Sequence, residues 1–266
     1  CDGDGDRNMI LGRNFFVTPG DSLAVIAEHA RDCIPGYRSG LTGVARSMPT
    51  STAVDRVARS LAIPCHETPT GWKFFGNLMD AGLCTLCGEE SFGTGSNHVR
   101  EKDGLWAVLC WLSILACRRK SVAEVVKDHW LRFGRSYFQR CDYEALDATK
   151  AAEMLAEVRA QLPSLVKTPM ARSTVNYADD FSYTDPVDGS ISARQGIRIL
   201  IEDGSRIVCR LSGTGTEGAT LRLYLERFRT DGDEAVTNVL KPLLEPALGL
   251  LKIRERFGRD HPDVVT

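Results

Sequence analysis

Apolar positions along the 266-residue chain follow one rhythm in the first half and another in the last third. Met9 to Leu11 and Phe15 to Val17 read as short strands about a turn at Gly12-Arg13-Asn14. An N-cap at Asp21 or Ser22 opens a helix through Ala30, and Ala53 to Ala62 places Val54, Val57, Ala58 and Leu61 on one helical face. Ile63-Pro64 turns the chain back; Phe74 to Ala81 predicts a short helix, and Leu83 to Leu86 a buried strand running into the glycine-dense stretch Gly88 to Gly95. Gly104 to Arg118 predicts a strongly apolar helix, followed by an amphipathic one from Ser121 to Trp130.

Helix Ala145 to Gln161 is predicted to stop before Pro163, after which strand patterns take over. Ile197 to Ile201 and Arg206 to Leu211 flank the hairpin signal Asp203-Gly204, Thr220 to Leu225 supplies another strand, and Ala235 to Leu251 closes the chain as a helix. Alternating α and β elements followed by a helix, strands and a helix predict two layouts in series. The first is an α/β domain, a mixed sheet flanked by helices; the second is an α+β domain with an antiparallel sheet and helices on one side. The expected boundaries are a loop at 1–15, domains at 16–118 and 135–266, and a linker at 119–134.

Composition narrows the function classes. Lys and Arg total 33 against 35 Asp and Glu, and a net charge of -2 offers no basic surface for nucleic acid. The longest apolar run, Leu105 to Cys117, is 13 residues, shorter than the roughly 18 a membrane span requires. Nine cysteines, an odd number spread over a long chain, are expected to be reduced and the protein cytoplasmic. Cys84-Thr85-Leu86-Cys87 has no partner pair at zinc-ribbon spacing, and its cysteines are expected as small core residues. Because it begins at Cys1 inside a charged motif, the chain is expected to be a piece of a longer protein.

That motif is Cys1-Asp2-Gly3-Asp4-Gly5-Asp6-Arg7. Carboxylates about 4 Å apart at a protein surface repel by about 4 kcal/mol, so three in one tight turn call for a counter-cation. An EF-hand is excluded, since Arg7 stands where that loop has glycine and Arg13 where it has glutamate. An incomplete all-oxygen shell with glycines between the ligands suits Mg²⁺. Glu89 and Ser91, alternating in the glycine loop, could share a side and bond adjacent sugar hydroxyls, though a solvated turn fits the same residues. Thr68-Pro69-Thr70-Gly71-Trp72-Lys73 is a turn with an aromatic that fits a pocket floor or the core. His98 and Lys102 would share a face if their segment were helical, with Lys102 placed to shuttle a proton. Arg210-Leu211-Ser212-Gly213-Thr214-Gly215, with Arg222 on the next strand, offers a guanidinium, hydroxyls and open amides to a phosphate, or forms a plain hairpin end.

Taken in order, the Asp2 to Arg7 turn, Gly88-Glu89-Glu90-Ser91 and Arg210 to Gly215 resemble the α-D-phosphohexomutase superfamily. Ala45 to Ser51, Glu67 to Ala81 and Gly88 to Gly104 resemble its eukaryotic-type phosphoglucomutase branch. The resemblance implies interconversion of glucose 1-phosphate and glucose 6-phosphate through glucose 1,6-bisphosphate and a phosphoserine, on a phosphosugar substrate, by a cytoplasmic monomer. It implies that Asp2, Asp4 and Asp6 bind Mg²⁺, with Arg7 beside them, Lys102 as the proton-transfer group and His98 nearby. Thr70 and Gly71 would read sugar orientation, Glu89 and Ser91 would grip ring hydroxyls, and Arg210, Ser212, Thr214 and Arg222 would hold the distal phosphate.

No Thr-Ala-Ser-His-Asn-Pro-like serine loop occurs in these residues, so the resemblance covers the end of domain 2 and domains 3 and 4. The chain alone is therefore expected to be inactive. Asn97 in place of aspartate and Thr216-Glu217 in place of small residues depart from the family pattern. A non-catalytic scaffold linked to secretion or adhesion, and a phosphomannomutase or dual-specificity mutase, are the competing readings; the GEES form of the sugar loop resembles the glucose-specific branch.

Overall fold

A computed structural model describes residues 1–215, 218–230 and 234–266. The chain divides into two compact units, 1–136 with 183–191, and 137–182 with 192–266.

The first unit opens with a two-stranded hairpin, β1 (Leu11–Gly12) against β2 (Phe15–Phe16). Helix α1 (Pro19–Cys33) starts earlier than the sequence pattern predicts. Thr18, not Asp21 or Ser22, is the N-cap: its hydroxyl accepts from the Asp21 N–H at 3.1 Å, with Pro19 pre-set for the first turn. Strand β3 (Val44–Ser47) then leads into α2 (Ala53–Leu61), which buries Val54, Val57 and Ala58 while Leu61 stays exposed. Next come β4 (Cys65–Thr68), α3 (Trp72–Asp80), β5 (Leu86–Gly88) and β6 (Thr94–Ser96).

The sheet order is β4-β3-β5-β6, with β4, β3 and β5 parallel and β6 antiparallel. It is the expected mixed sheet, and strand ends at Thr68 and Gly88 deliver the Thr70 and Glu89 loops to one edge direction. The buried strand lies at Leu86–Gly88 rather than at Leu83 to Leu86, because Leu83 is exposed.

Helix α4 (Gly104–Arg118) is capped by the Asp103 carboxylate, and α5 (Val122–Phe133) by a reciprocal pair of Ser121 and Glu124 bonds. In the stretch expected to be a linker, Val125 and Val126 of α5 are buried in the same core as Leu23, Val25 and Trp111. The apolar α4 buries only part of its surface: Ala107, Cys110, Trp111 and Ile114 face the core, while Leu105, Leu109 and Leu112 are exposed. Among the described residues no helix is long and apolar enough to cross a membrane.

Strand β7 (Arg135–Leu146) leads into the second unit. Its charged residues break the apolar run that would announce a strand, and its last two residues had the pattern of a helix start. Helix α6 (Ala148–Leu165), capped by Asp147, runs through Pro163 instead of stopping before it. Burial of Leu162 and packing of Leu165 against the core hold the turn that the proline weakens.

Strands β8 (Pro169–Met170), β9 (Ser173–Asp180), β10 (Tyr183–Thr184), β11 (Ile191–Ser192), β12 (Ile197–Ile201), β13 (Arg206–Gly215) and β14 (Gly218–Arg229) follow. Helices α7 (Val236–Leu251) and α8 (Ile253–Phe257) and strand β15 (Val264–Val265) end the chain. The sheet runs β15-β7-β14-β13-β12-β9-β8, with antiparallel pairing through β9, β12, β13 and β14. α6 and α7 supply Leu155, Val158, Leu240 and Leu243 to its core, the antiparallel sheet with packed helices that the pattern predicts.

The cysteines depart from the all-reduced expectation at one pair. Cys33, the last residue of α1, and Cys117, at the end of α4, are disulfide-bonded with Cα atoms 5.5 Å apart; the other seven are free. Two helix ends 84 residues apart in sequence meet only through packing. Cys84 and Cys87 are buried beside Phe75 and Leu78, and burial pushes the Cys84 thiol up to about 12 and raises the Cys87 thiol as well.

Candidate active site

Residues 2–7 close on themselves. The Gly5 N–H donates to the Asp2 carbonyl at 3.2 Å and the Arg7 N–H to Asp2 Oδ1 at 3.1 Å, which holds the Asp2 carboxyl below its ordinary range. Ligand oxygens of Asp2, Asp4 and Asp6 lie within 4.8 Å of one another. Arg7 Nε is 3.8 Å from Asp2 Oδ2 and 3.7 Å from Asp6 Oδ1, and Lys102 Nζ is 2.7 Å from Asp6 Oδ2. Three carboxylates thus meet two cations. A small dication would convert the surplus negative charge into a positive one, and the oxygen-only donor set suits such an ion.

The turn is held from two sides. Gly104 N–H donates to the Gly5 carbonyl at 3.1 Å and Asn8 N–H to the Phe92 carbonyl at 3.0 Å, while Arg7 bridges Gly93. A Cβ at Gly104 would lie 2.5 Å from the Arg7 carbonyl oxygen, and one at Gly93 2.6 Å from Lys102 Cδ. Both glycines let backbone approach closely enough to bring the aspartate turn and the lysine together.

Past β5 the chain turns back at once into β6, so Glu89 and Ser91 meet through a turn rather than along an extended strand. Ser91 Oγ donates to Glu89 Oε2 at 3.2 Å, and the Gly71 N–H donates to Glu89 Oε1 at 3.1 Å. Gly71, at φ 135°, occupies the conformation that opens α3. Burial pushes the Glu89 carboxyl up, and the neighbouring Glu90 charge adds to it. Thr70 Oγ1 is buried with no hydrogen-bond partner among the described residues. Thr70, Gly71, Glu89, Ser91, Lys102 and the three aspartates therefore form one connected arrangement within the first unit.

His98 does not share a helical face with Lys102, because residues 97–101 form a turn and a bend and Lys102 bridges Gly95. Its ring instead bonds Ser96 Oγ through Nδ1 at 2.5 Å and Asp103 Oδ2 through Nε2 at 3.1 Å, stacked on Trp106. Trp72 is part of the same loop's support, its Nε1–H donating to the Arg100 carbonyl at 3.0 Å. None of Ser96, Asp103 or Trp106 has a sequence signal that marks it; only the fold gathers them.

In the second unit Arg210 and Arg222 stand directly opposite on β13 and β14, as do Ser212 and Thr220. The phosphate-loop candidates thus continue the strand to the hairpin end rather than leaving it. Arg210 Nε donates to the Gln195 carbonyl at 3.1 Å. Arg222 Nε lies 3.8 Å from the buried carboxylate of Asp142, which Arg140 also bonds at 2.8 Å. Asp142 and Arg140 went unnoticed in the sequence because β7 itself did. Register shifts between Ser212 and Thr214, where Gly213 takes φ 67°. Thr214 lies within β13; its side chain and the Thr216-Glu217 departure lie outside the described residues.

Two family models match the chain. The profile described as "Phosphoglucomutase/phosphomannomutase, alpha/beta/alpha domain III" matches residues 19–133, and "Phosphoglucomutase-1, C-terminal domain" matches 135–263. The chain belongs to the phosphoglucomutase family. It is 55% identical over 286 residues to a probable cytoplasmic phosphoglucomutase of Arabidopsis thaliana, covering 100% of this chain and 49% of that protein. A chloroplastic phosphoglucomutase of the same plant is 54% identical over 278 residues, covering 100% of this chain and 45% of that protein. The crystal structure of the exocytosis-sensitive phosphoprotein parafusin, a Paramecium phosphoglucomutase, superposes with a TM-score of 0.92 at 51% identity, over 100% of this chain and 47% of that one. The chain spans about half the length of the relatives it matches.

Proposed function

We propose that the complete protein is a Mg²⁺-dependent phosphoglucomutase, converting glucose 1-phosphate to glucose 6-phosphate through a phosphoserine and glucose 1,6-bisphosphate. The observation that carries this reading is Lys102 Nζ at 2.7 Å from Asp6, in a cluster of three carboxylates joined through β6 to the Glu89–Gly71 contact. Asp2, Asp4 and Asp6 would hold the ion, whose positive charge would stabilise charge on a transferring phosphoryl group.

The remaining work falls to the chain's own groups. Arg7 places a second positive charge at the same carboxylates. Glu89 and Ser91 offer an acceptor and a hydroxyl to neighbouring sugar hydroxyls, with Thr70 Oγ1 and Gly71 beside them, fixing which sugar oxygen faces the cluster. Lys102 is positioned to move a proton at that oxygen. Arg210, Ser212, Thr214 and Arg222 would take the phosphate that does not react, a guanidinium pair with hydroxyls at a hairpin end.

A cytoplasmic location fits one group of relatives, a chloroplastic one another. A secretion-linked role is the second reading, favoured by the parafusin likeness; the retained carboxylates and Lys102 support catalysis whichever setting applies. Assay of the complete protein with glucose 1-phosphate and Mg²⁺ tests the proposal. Activity is expected to vanish with chelator and to fall at least about a hundredfold in Asp4→Asn, as expected when a ligand of the ion at the transfer centre is lost. Mannose 1-phosphate turned over as fast as glucose 1-phosphate would overturn the substrate assignment, and full activity in chelator would overturn the metal site.

A further inference from the structure

Behind the loop that carries Lys102 lies a continuous line of polar contacts that the proposed chemistry does not use. Tyr37 OH is 2.6 Å from Ser96 Oγ, Ser96 Oγ is 2.5 Å from His98 Nδ1, and His98 Nε2 is 3.1 Å from Asp103 Oδ2. Ser96 is fully buried, Tyr37 is 9% exposed, and Trp106 packs between the Tyr37 and His98 rings, edge-on to one and stacked on the other.

The chemistry of the groups sets the direction of each bond. The Asp103 carboxylate only accepts; Oδ1 takes the Trp106 N–H at 2.8 Å as the cap of α4, and Oδ2 takes the imidazole. His98 Nε2 must then carry a proton. In the neutral ring Nδ1 is an acceptor, so Ser96 O–H donates to it and Ser96 Oγ in turn accepts from Tyr37. Burial pushes the Tyr37 phenol above its ordinary value, which keeps it a donor at neutral pH.

The line ends next to Lys102. Asp103 N–H donates to the Thr94 carbonyl at 3.0 Å and Lys102 bridges Gly95, so orienting the Asp103 side chain fixes the last two residues before α4. The geometry points to Tyr37, Ser96, His98 and Asp103 as a positioning relay that locks His98 in the Nε2–H tautomer and aims Lys102 at Asp6, with His98 a positioning residue and not a proton-transfer group. This inference rests on the mutase reading above for its catalytic consequence, and on geometry alone for its tautomer.

Two measurements test it. In the 266-residue chain labelled with ¹⁵N-histidine, with His98→Gln used to assign the signal, ring nitrogen shifts are expected to show His98 as Nε2–H at neutral pH. Asp103→Asn, whose amide can still cap α4 and can donate to Nε2, is expected to move it toward Nδ1–H. An Nδ1–H ring or an even mixture in the unaltered chain, or no change in Asp103→Asn, overturns the relay. In the complete enzyme Asp103→Asn is expected to lower kcat by about tenfold or more with little change in KM. His98→Gln is expected to keep both limbs of the pH profile of kcat. Loss of a limb in His98→Gln would make His98 a proton-transfer group, and parental kcat in Asp103→Asn would separate the relay from catalysis. A complete protein with no mutase activity refutes the proposed function, and the tautomer measurement still decides the relay.

Discussion

His29 shows how one buried side chain can set a pH limit away from any chemistry. It is 2% exposed on α1, and its Nδ1 accepts from Arg118 Nε at 3.2 Å and Nη2 at 3.0 Å. An imidazole accepting from a guanidinium has to stay neutral, and burial, with the Arg118 charge, pulls it down to about 4. Between about pH 6.5 and 4 the unfolded ring binds a proton that the folded ring refuses, so unfolding takes up protons and stability falls as pH falls through that window. Above about 6.5 both states are neutral and the contribution is constant. Urea unfolding of the chain at pH 7 and pH 4.5 is expected to lose on the order of 2 kcal/mol through this residue. His29→Gln should show a correspondingly smaller drop, and an unchanged drop would rule the residue out. At this scale the metal candidates were visible in the sequence, since Asp2, Asp4 and Asp6 are spaced to meet within a single turn. The Ser96, His98 and Asp103 contacts were not, because the period assumed for residues 98–102 was helical and the structure makes turns there.

Among the elements, helices announced themselves better than strands. The helix from Gly104 to Arg118 was predicted at its observed limits, while β3, β4, β6 and β7 left no pattern strong enough to predict. β3, β4 and β6 are three or four residues long and owe their identity to pairing in the mixed sheet rather than to a pattern of their own, and charged residues break the apolar run of β7. The disulfide between the ends of α1 and α4 is a pairing of the same kind. Closing a loop of sequence separation 84 removes chain entropy from the unfolded state worth about 4 kcal/mol. Adding reductant, or Cys117→Ser, is therefore expected to lower the melting temperature of the chain, and Cys117→Ser should be insensitive to reductant. Equal melting temperatures in oxidised and reduced samples would show that the bond contributes nothing.

At the scale of the whole molecule, each unit has its own core: the first holds the carboxylate cluster, Lys102 and the Glu89–Gly71 contact, and the second holds the paired arginines of β13 and β14. The family's reacting serine loop has no counterpart in these 266 residues. The chain by itself is expected to show no turnover of glucose 1-phosphate while the complete protein does; turnover by the isolated chain would refute the division of labour.

Residue order alone determined the features that act over a few positions: the aspartate turn, the glycine loop, the span of α4, and the change from helical to strand periodicity that separates the two layouts. Tertiary structure alone decided which distant segments meet. Lys102 reaches Asp6, Tyr37 reaches the loop before α4, Cys33 reaches Cys117, and Arg222 reaches Asp142 only after helices and strands have packed. The physical reason is range. Propensity, capping and turn chemistry are settled between near neighbours, whereas the free energy that brings remote side chains together comes from burying the surfaces between them.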